Sequence, residues 1–286
     1  MDVTSFLKIG KSEASARRFL AATCWGKEKK SCPRCGAQPV YALSDHRLRC
    51  GACGYTFHDF SRRFLNNCGL TAQQWVWCIR LFCLDTQPAV MARQLDITPN
   101  TAARAIKTIR AAIMAHSLDA PLIFERGLGS SLGTARTRRR RSGPGGGPQV
   151  LPVLGVVETG GMVFVDLIPD LAPESVAHFC ANFGLKAARV GDVIYTDRYQ
   201  HYQTLMVCDK ALRQVPLLRR NDRKLAIDAT HGFWPYAKEQ LKQRRGIACR
   251  YFLLYIKELE FRFNNRAHDI FHDVARCLCA LVPKLK

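Results

Sequence analysis

The sequence reads as an α+β chain of several domains, and three observations predict it. Two Cys-x-x-Cys pairs, separated by 14 residues, lie in the turn-rich stretch 32–60. Residues 70–116 carry apolar side chains at helical spacing. Beyond a Gly- and Arg-rich stretch, 127–149, short apolar runs with strand character lead into a mostly helical C-terminal third.

Residues 11–25 predict a short amphipathic helix. The paired cysteines follow it as Cys32-Pro33-Arg34-Cys35 and Cys50-Gly51-Ala52-Cys53. Each pair places two thiolates on one tight turn, and Gly36 and Gly54 suit the positive φ such turns need. Four sulfurs are the tetrahedral set of a closed, structural Zn²⁺ site with no open position for catalysis. Between the knuckles, 39–43 and 47–49 read as the two strands of a hairpin, so the whole is a zinc ribbon with Cys32, Cys35, Cys50 and Cys53 as ligands. Lys29, Lys30, Arg34, Arg47, Arg49, Arg62 and Arg63 surround it, with Tyr55, Phe57 and Phe60 following. That suits a fold staple that also touches phosphates.

The wider composition agrees. Of 286 residues, 43 are Lys or Arg and 23 are Asp or Glu, a formal charge of +20. An apolar share of 48% is enough for a real core and excludes a charged disordered tail. A basic excess of this size favours a polyanion, because each neutralised phosphate releases condensed counterions. No apolar run approaches the ~20 residues of a membrane span, and the first residues lack the basic and apolar regions of a secretory signal. The expected location is therefore the reducing cytoplasm, where close cysteine pairs mean metal and scattered ones mean core packing. Cys68, Cys78, Cys83, Cys180, Cys208, Cys249, Cys277 and Cys279 fall mostly in apolar runs and read as buried thiols.

The helical middle begins with Thr71 as N-cap candidate, and Trp75, Ile79, Phe82 and Cys83 fall at core spacing. Pro88 opens a short helix to Leu95, 96–98 turn, and Pro99 opens a third helix to about His116. Short helix, tight turn and second helix is the helix-turn-helix plan, whose second helix lies in the major groove. Asn100, Thr101, Arg104 and Lys107 are expected to face outward, and Ala102, Ala105, Ile106 and Ile109 inward.

Residues 127–149 then change character, with Arg136-Thr137-Arg138-Arg139-Arg140-Arg141 followed by a Gly/Pro run. This is a loop or linker, and Arg138, Arg139 and Arg140 are candidates to clamp DNA. Val150–Glu158 and Met162–Ile168 predict strands joined by a hairpin signal at Thr159-Gly160-Gly161, and Val193–Thr196 predicts another. A helix is expected over Pro173–Phe183.

With these parts in order, four segments become recognisable: 152–158 (Pro-Val-Leu-Gly-Val-Val-Glu), 194–202 (Ile-Tyr-Thr-Asp-Arg-Tyr-Gln-His-Tyr), 232–238 (Gly-Phe-Trp-Pro-Tyr-Ala-Lys) and 258–266 (Glu-Leu-Glu-Phe-Arg-Phe-Asn-Asn-Arg). Over roughly residues 15–266 the chain resembles the bacterial insertion-sequence transposases related to the Merlin superfamily. The resemblance implies domains at 1–68 (helix and ribbon), 69–118 (helix-turn-helix) and 119–286 (an RNase H-like α/β domain carrying the basic insertion 127–149). It also implies a DDE-type centre. That chemistry needs three acids, because two Mg²⁺ or Mn²⁺ ions about 3.5–4 Å apart activate the nucleophile and stabilise the leaving oxygen.

Carried over residue by residue, Asp197 matches the second acid. The first acid's position holds Phe124, beside Glu125, and the third's holds His231, with Asp228 at a preceding polar position. Lys238 keeps the family's basic residue. Two readings follow. The centre is impaired and the chain is a DNA-binding member of the family; or it is rebuilt as Glu125–Asp197–His231, with Asp228 shifted in, and the chain is an active transposase. A neighbouring strand residue faces the opposite side of the sheet, so Glu125 needs a bulge to serve. The resemblance further implies double-stranded DNA of the element ends as partner, a homo-oligomer on DNA, and nucleoid association. An assembly role, in which the RNase H-like domain mainly oligomerises, is a third reading.

Overall fold

The computed structural model describes residues 1–27, 29–44, 47–116, 153–159, 162–168, 193–199, 202–208, 218–221, 224–227, 233–243 and 252–282. The chain forms two compact units, Met1–Ser117 with Ala267–Lys286, and Leu118–Arg266.

The first unit opens with two helices where one was expected. α1 (Val3–Gly10) is capped by Asp2, whose Oδ1 accepts the Ser5 N–H at 2.8 Å. Then α2 (Glu13–Trp25) starts at a reciprocal Ser12/Ser15 capping box. The ribbon follows as a three-stranded antiparallel sheet, β1 (Val40–Ala42), β2 (Leu48–Cys50) and β3 (Thr56–Phe57), in that spatial order. Its own small core is Cys32, Leu48, Cys50 and Phe57, with Trp25, Val40 and Tyr55 packed against it. A single 3-10 turn, Phe64–Asn67, leads to the helices.

Three helices make up the middle: α3 (Ala72–Cys83), α4 (Pro88–Gln94) and α5 (Pro99–Ala115). Their starts obey capping chemistry legible in the sequence. Thr71 and Gln74 form a capping box on α3, Pro stands in the first turn of α4 and α5, and the Thr98 hydroxyl accepts the Thr101 N–H at 3.1 Å. Two N–H groups of α3 that Thr71 does not reach, those of Ala72 and Gln73, bond instead to the two oxygens of Glu13 at 3.0 and 2.8 Å. The chain turns through Asp85 (φ 55°) and Asp96 (φ 51°), left-handed positions that aspartate tolerates better than most residues.

The C-terminal helix of the chain, called α8 below (Phe271–Cys279), belongs to this unit rather than to the one that precedes it in sequence. Its amphipathic face explains why. Phe271, fully buried, meets Phe6 and Phe19 at centroid distances of 5.8 Å, and Val274, Ala275 and Leu278 are also inaccessible. Asp269 accepts from Arg80 at 2.9 Å, and beyond the helix the Val282 N–H reaches the Arg62 carbonyl at 2.9 Å. A partition at 119–286 separates these last residues from the core they complete.

The second unit contains a four-stranded mixed sheet of order β5-β4-β7-β6, from β4 (Val153–Thr159), β5 (Met162–Ile168), β6 (Val193–Tyr199) and β7 (Tyr202–Cys208). β4 pairs antiparallel with β5 and parallel with β7, and β6 runs antiparallel to β7. A two-stranded ladder joins β8 (Leu218–Asn221) to β9 (Lys224–Ile227). Two helices follow, α6 (Phe233–Gln243) and α7 (Phe252–Asn264), which meet through Phe263 of α7 against Phe233, edge to face at 5.5 Å, and against Tyr236 at 5.8 Å. The helix expected over 173–183 lies outside the described residues.

On α7 three ionisable side chains are buried: Lys257, Glu258 and Glu260. Burial of charge is tolerated only with partners. Lys257 Nζ lies 2.8 Å from Glu260 Oε2, which also accepts the Val165 N–H at 2.9 Å, and Arg262 Nε lies 2.8 Å from Glu258 Oε1.

Candidate metal centre and nucleic-acid interface

The four ribbon cysteines converge. Cys32 and Cys53 sulfurs stand 3.7 Å apart, as do those of Cys35 and Cys50, and all four lie within 4.8 Å of one another. A tetrahedral Zn²⁺ with Zn–S bonds of about 2.3 Å requires S···S separations of about 3.8 Å. The donor set therefore fits the ion. Gly36 (φ 76°) and Gly54 (φ 66°) close the two knuckles in the left-handed conformation read from the sequence. The turns also aim N–H groups at sulfur: Arg34 N at Cys32 Sγ, 3.4 Å, and Cys53 N at Cys50 Sγ, 3.5 Å.

Those contacts show in the acidities. The Cys53 N–H holds the Cys50 thiol down at about 7. A backbone N–H from Ala37 lowers the Cys35 thiol too, but its hydrogen bond with Cys53, burial, and crowding against Cys32 and Cys50 outweigh this and push it up to about 12. Sulfurs this close cannot all ionise without a cation between them. Among the described residues, these cysteines are the one His/Cys/Asp/Glu group arranged to hold a metal.

The basic residues around the ribbon divide into two kinds. Arg34, Arg47, Arg49 and Arg62 are exposed, as are Lys29 and Lys30. Arg63 is not a surface contact. It is 6% exposed, lies 4.6 Å from the Trp25 ring centroid, donates from Nε to the Asp59 carbonyl at 2.9 Å, and reaches the Cys279 carbonyl through Nη1. Its guanidinium is a structural knot tying ribbon, α2 and α8 together. Burial alone would raise the Asp59 carboxyl, but hydrogen bonds from Lys30 (2.9 Å) and the Trp25 indole (2.6 Å) outweigh it and hold that group below the usual carboxylate range. Phe57 is core, and Tyr55 stacks on it.

On α5, Ala102, Ala105, Ile106 and Ile109 are buried and Asn100, Ala103, Arg104 and Lys107 are exposed. Thr101 is half-buried, its hydroxyl 2.9 Å from that of Thr98. Arg104 donates from Nη2 to the Asn67 carbonyl at 2.7 Å, so its stem lies along the 3-10 turn.

Of the expected scattered core thiols, Cys78, Cys277 and Cys279 are buried, whereas Cys68 and Cys83 are only partly so. Cys68 Sγ lies 3.3 Å from the Thr108 hydroxyl.

Asp197 stands on β6 opposite Thr204, immediately after a register shift between Tyr195 and Asp197. Bulges of this kind re-aim a strand and concentrate near active sites. Glu158 on β4 pairs with Cys208, four residues farther along β7 than Thr204, roughly 13 Å at strand spacing. Lys238 lies within α6. Phe124, Glu125, Asp228, His231, Cys180, Cys249 and Arg136–Arg141 lie outside the described residues, so the other members of the expected triad and the basic loop have no placement.

Sequence reading missed α1, the Glu13 cap on α3, and the assignment of α8 to the first unit. The amphipathic spacing of Phe271, Val274, Ala275 and Leu278 signals a buried face but not which unit it covers.

A family model described as the ISXO2-like transposase domain matches residues 118–264, just over half of the chain, and one described as the transposase zinc-ribbon domain matches residues 11–56. An uncharacterized transposase-like protein of Haemophilus influenzae is 34% identical over 74 residues, which are 26% of this chain and 60% of that protein. The chain thus spans less than two thirds of that curated relative. No solved structure matches the chain. No helix among the described residues is long and apolar enough to cross a membrane. With a ribbon at its N-terminal end and a DDE domain behind it, the chain belongs to the ISXO2-like transposase family.

Proposed function

We propose that this chain binds double-stranded DNA through its ribbon, a helix-turn-helix formed by α4 and α5, and the basic stretch Arg136–Arg141, and that its nuclease centre is impaired. One observation carries the binding half. α5 buries its apolar side in the first unit and leaves Asn100, Arg104 and Lys107 in solvent, with α4 and a left-handed turn at Asp96 preceding it. A recognition helix needs that disposition: polar and basic side chains exposed along one face of a helix held rigidly from behind.

The impairment rests on residue identity. A phenyl ring at 124 cannot ligate Mg²⁺ or Mn²⁺, and an imidazole at 231 replaces a hard anionic oxygen with a nitrogen donor that such ions bind less readily. Only Asp197 is left of the three acids, on an RNase H-like sheet. In this reading zinc is structural, the protein works as a homo-oligomer on DNA in the cytoplasm, and the element ends are its target.

The test incubates the full chain with duplexes carrying the ends that flank its gene, in Mg²⁺ or Mn²⁺, beside Asp197→Ala. Binding without cleavage in both proteins is the expected result. Cleavage that vanishes in Asp197→Ala overturns the impairment and establishes the rebuilt Glu125–Asp197–His231 centre, with Asp228 as a further candidate. Absence of duplex binding overturns the reading as a whole.

A further inference from the structure

The ribbon sheet has two faces, and the fold uses one. Leu48, Cys50 and Phe57 turn inward to the ribbon core. Register pairs Tyr41 with Arg49 and Arg49 with Thr56, so these three form a row on the other side. Two residues farther along, Leu43 and Arg47 continue the β1 and β2 columns, joined by Leu43 N–H to the Arg47 carbonyl at 2.8 Å. Both arginines are exposed, and Tyr41 keeps 56% of its surface in water.

Gly51 explains how the Tyr41 ring lies. A Cβ at Gly51 would stand 2.9 Å from Tyr41 Cε2, so the ring occupies space that any other residue would fill. Glycine here permits a close approach, and the ring leans over the second knuckle beside the arginine column. An aromatic held in place yet left exposed, flanked by cations on an antiparallel sheet, has the composition of a base-stacking platform. A base can stack on it only if one of its own faces is free. In a duplex, neighbouring pairs cover both faces, and a duplex would meet the arginines alone.

We propose that this outward ribbon face binds single-stranded DNA, with a base stacked on Tyr41 and flanking phosphates on Arg47 and Arg49. The inference rests on the DNA-binding reading above and adds a second site with a different substrate geometry.

The experiment uses the full chain and fluorescence anisotropy on a labelled oligothymidylate and on a duplex of equal length. Tyr41→Ala weakens single-strand binding about five- to hundred-fold, the range for loss of one stacked base, and leaves duplex binding within about two-fold. Tyr41→Phe retains the affinity, and Arg49→Ala lowers the salt slope by about one ion. Zinc content is measured on each variant. As a readout free of folding effects, an oligothymidylate carrying 5-iodouracil is photo-cross-linked to the unaltered protein, with attachment expected at Tyr41. Single-strand affinity unchanged in Tyr41→Ala, or cross-links confined to residues outside the ribbon, overturns the proposal. Tighter binding of an equal oligouridylate reassigns the site to RNA and overturns it too. Failure of the single strand with duplex binding intact refutes this site alone, whereas failure of the duplex refutes the reading beneath it.

Discussion

Asn264 pairs with Val163 as a neighbouring strand would: its Oδ1 accepts the Val163 N–H at 2.7 Å and its Nδ2 donates to the Val163 carbonyl at 2.7 Å. β5 is the outer strand of its sheet, and one turn earlier on α7 Glu260 takes the Val165 N–H. A helix thus supplies the polar partners that an edge strand otherwise leaves open to another chain.

Asn264→Ala leaves two partly buried main-chain groups of Val163 without those bonds, and about 1–3 kcal/mol of unfolding free energy is lost for such groups. Asn264→Asp loses the donor and sets a carboxylate against the Val163 carbonyl, so it destabilises further. Urea denaturation reads both; an unchanged midpoint in Asn264→Ala contradicts the pairing. Self-association rising with the loss of stability identifies β5 as the surface exposed.

Phe271 sits between Phe6 and Phe19 in the first unit. Truncating a fully buried phenylalanine costs about 3–5 kcal/mol. Phe271→Ala therefore weakens duplex binding and speeds proteolysis within residues 1–117, although it lies more than 150 residues downstream of them in sequence. Cleavage patterns by limited proteolysis decide the matter: protection of 1–117 equal to the unaltered protein places α8 outside that core.

Cys50→Ser removes one thiolate of four, releases zinc, and unfolds the ribbon. Atomic absorption checks the metal, and unchanged zinc content eliminates the site. Acidity acts in the same direction. In the metal-free protein the Cys50 thiolate is favoured, its value held at about 7 against an ordinary value of 9.0, so its contribution is present above 9 and is lost as pH falls through 7. Zinc uptake followed by a chromogenic chelator accordingly weakens on acidification through that window.

Arg104 and Lys107 should separate by role on α5. Arg104 is braced on the Asn67 carbonyl, which orders its guanidinium near the start of the helix. Arg104→Ala lowers sequence-specific binding more than nonspecific binding, by about 1–3 kcal/mol for a lost base contact; Lys107→Ala weakens both alike and lowers the salt slope by about one. Equal losses on both DNAs for Arg104→Ala make it a phosphate contact instead. Competition binding at two salt concentrations distinguishes the cases.

Local chemistry was legible wherever a few adjacent residues suffice. Cys-x-x-Cys with a following glycine encodes a knuckle, Thr71 with Gln74 encodes a helix start, and Pro99 after Thr98 encodes another. The alternation of apolar residues on α5 states which side is buried, because helix geometry alone converts spacing into a face. Strands β4 and β5 were legible for the same reason, a hairpin signal between two apolar runs.

Other features depend on what comes near across large sequence separations. Whether Arg63 is a phosphate contact or a buried knot depends on Trp25 and the Cys279 carbonyl arriving around it, and no run of neighbours contains that information. Lys257, Glu258 and Glu260 look like a solvated charge run until β5 and Arg262 satisfy them. By itself the sequence determined the ribbon and its four grouped cysteines, the starts of α3, α4 and α5, and the identity of the residues at the expected acid positions, since each is a matter of residue type at short spacing. Only the tertiary structure decided that α8 completes the N-terminal unit, that α7 closes the edge of the sheet, and that Tyr41 lies open beside Arg49, because burial and partnership are properties of packing between distant segments.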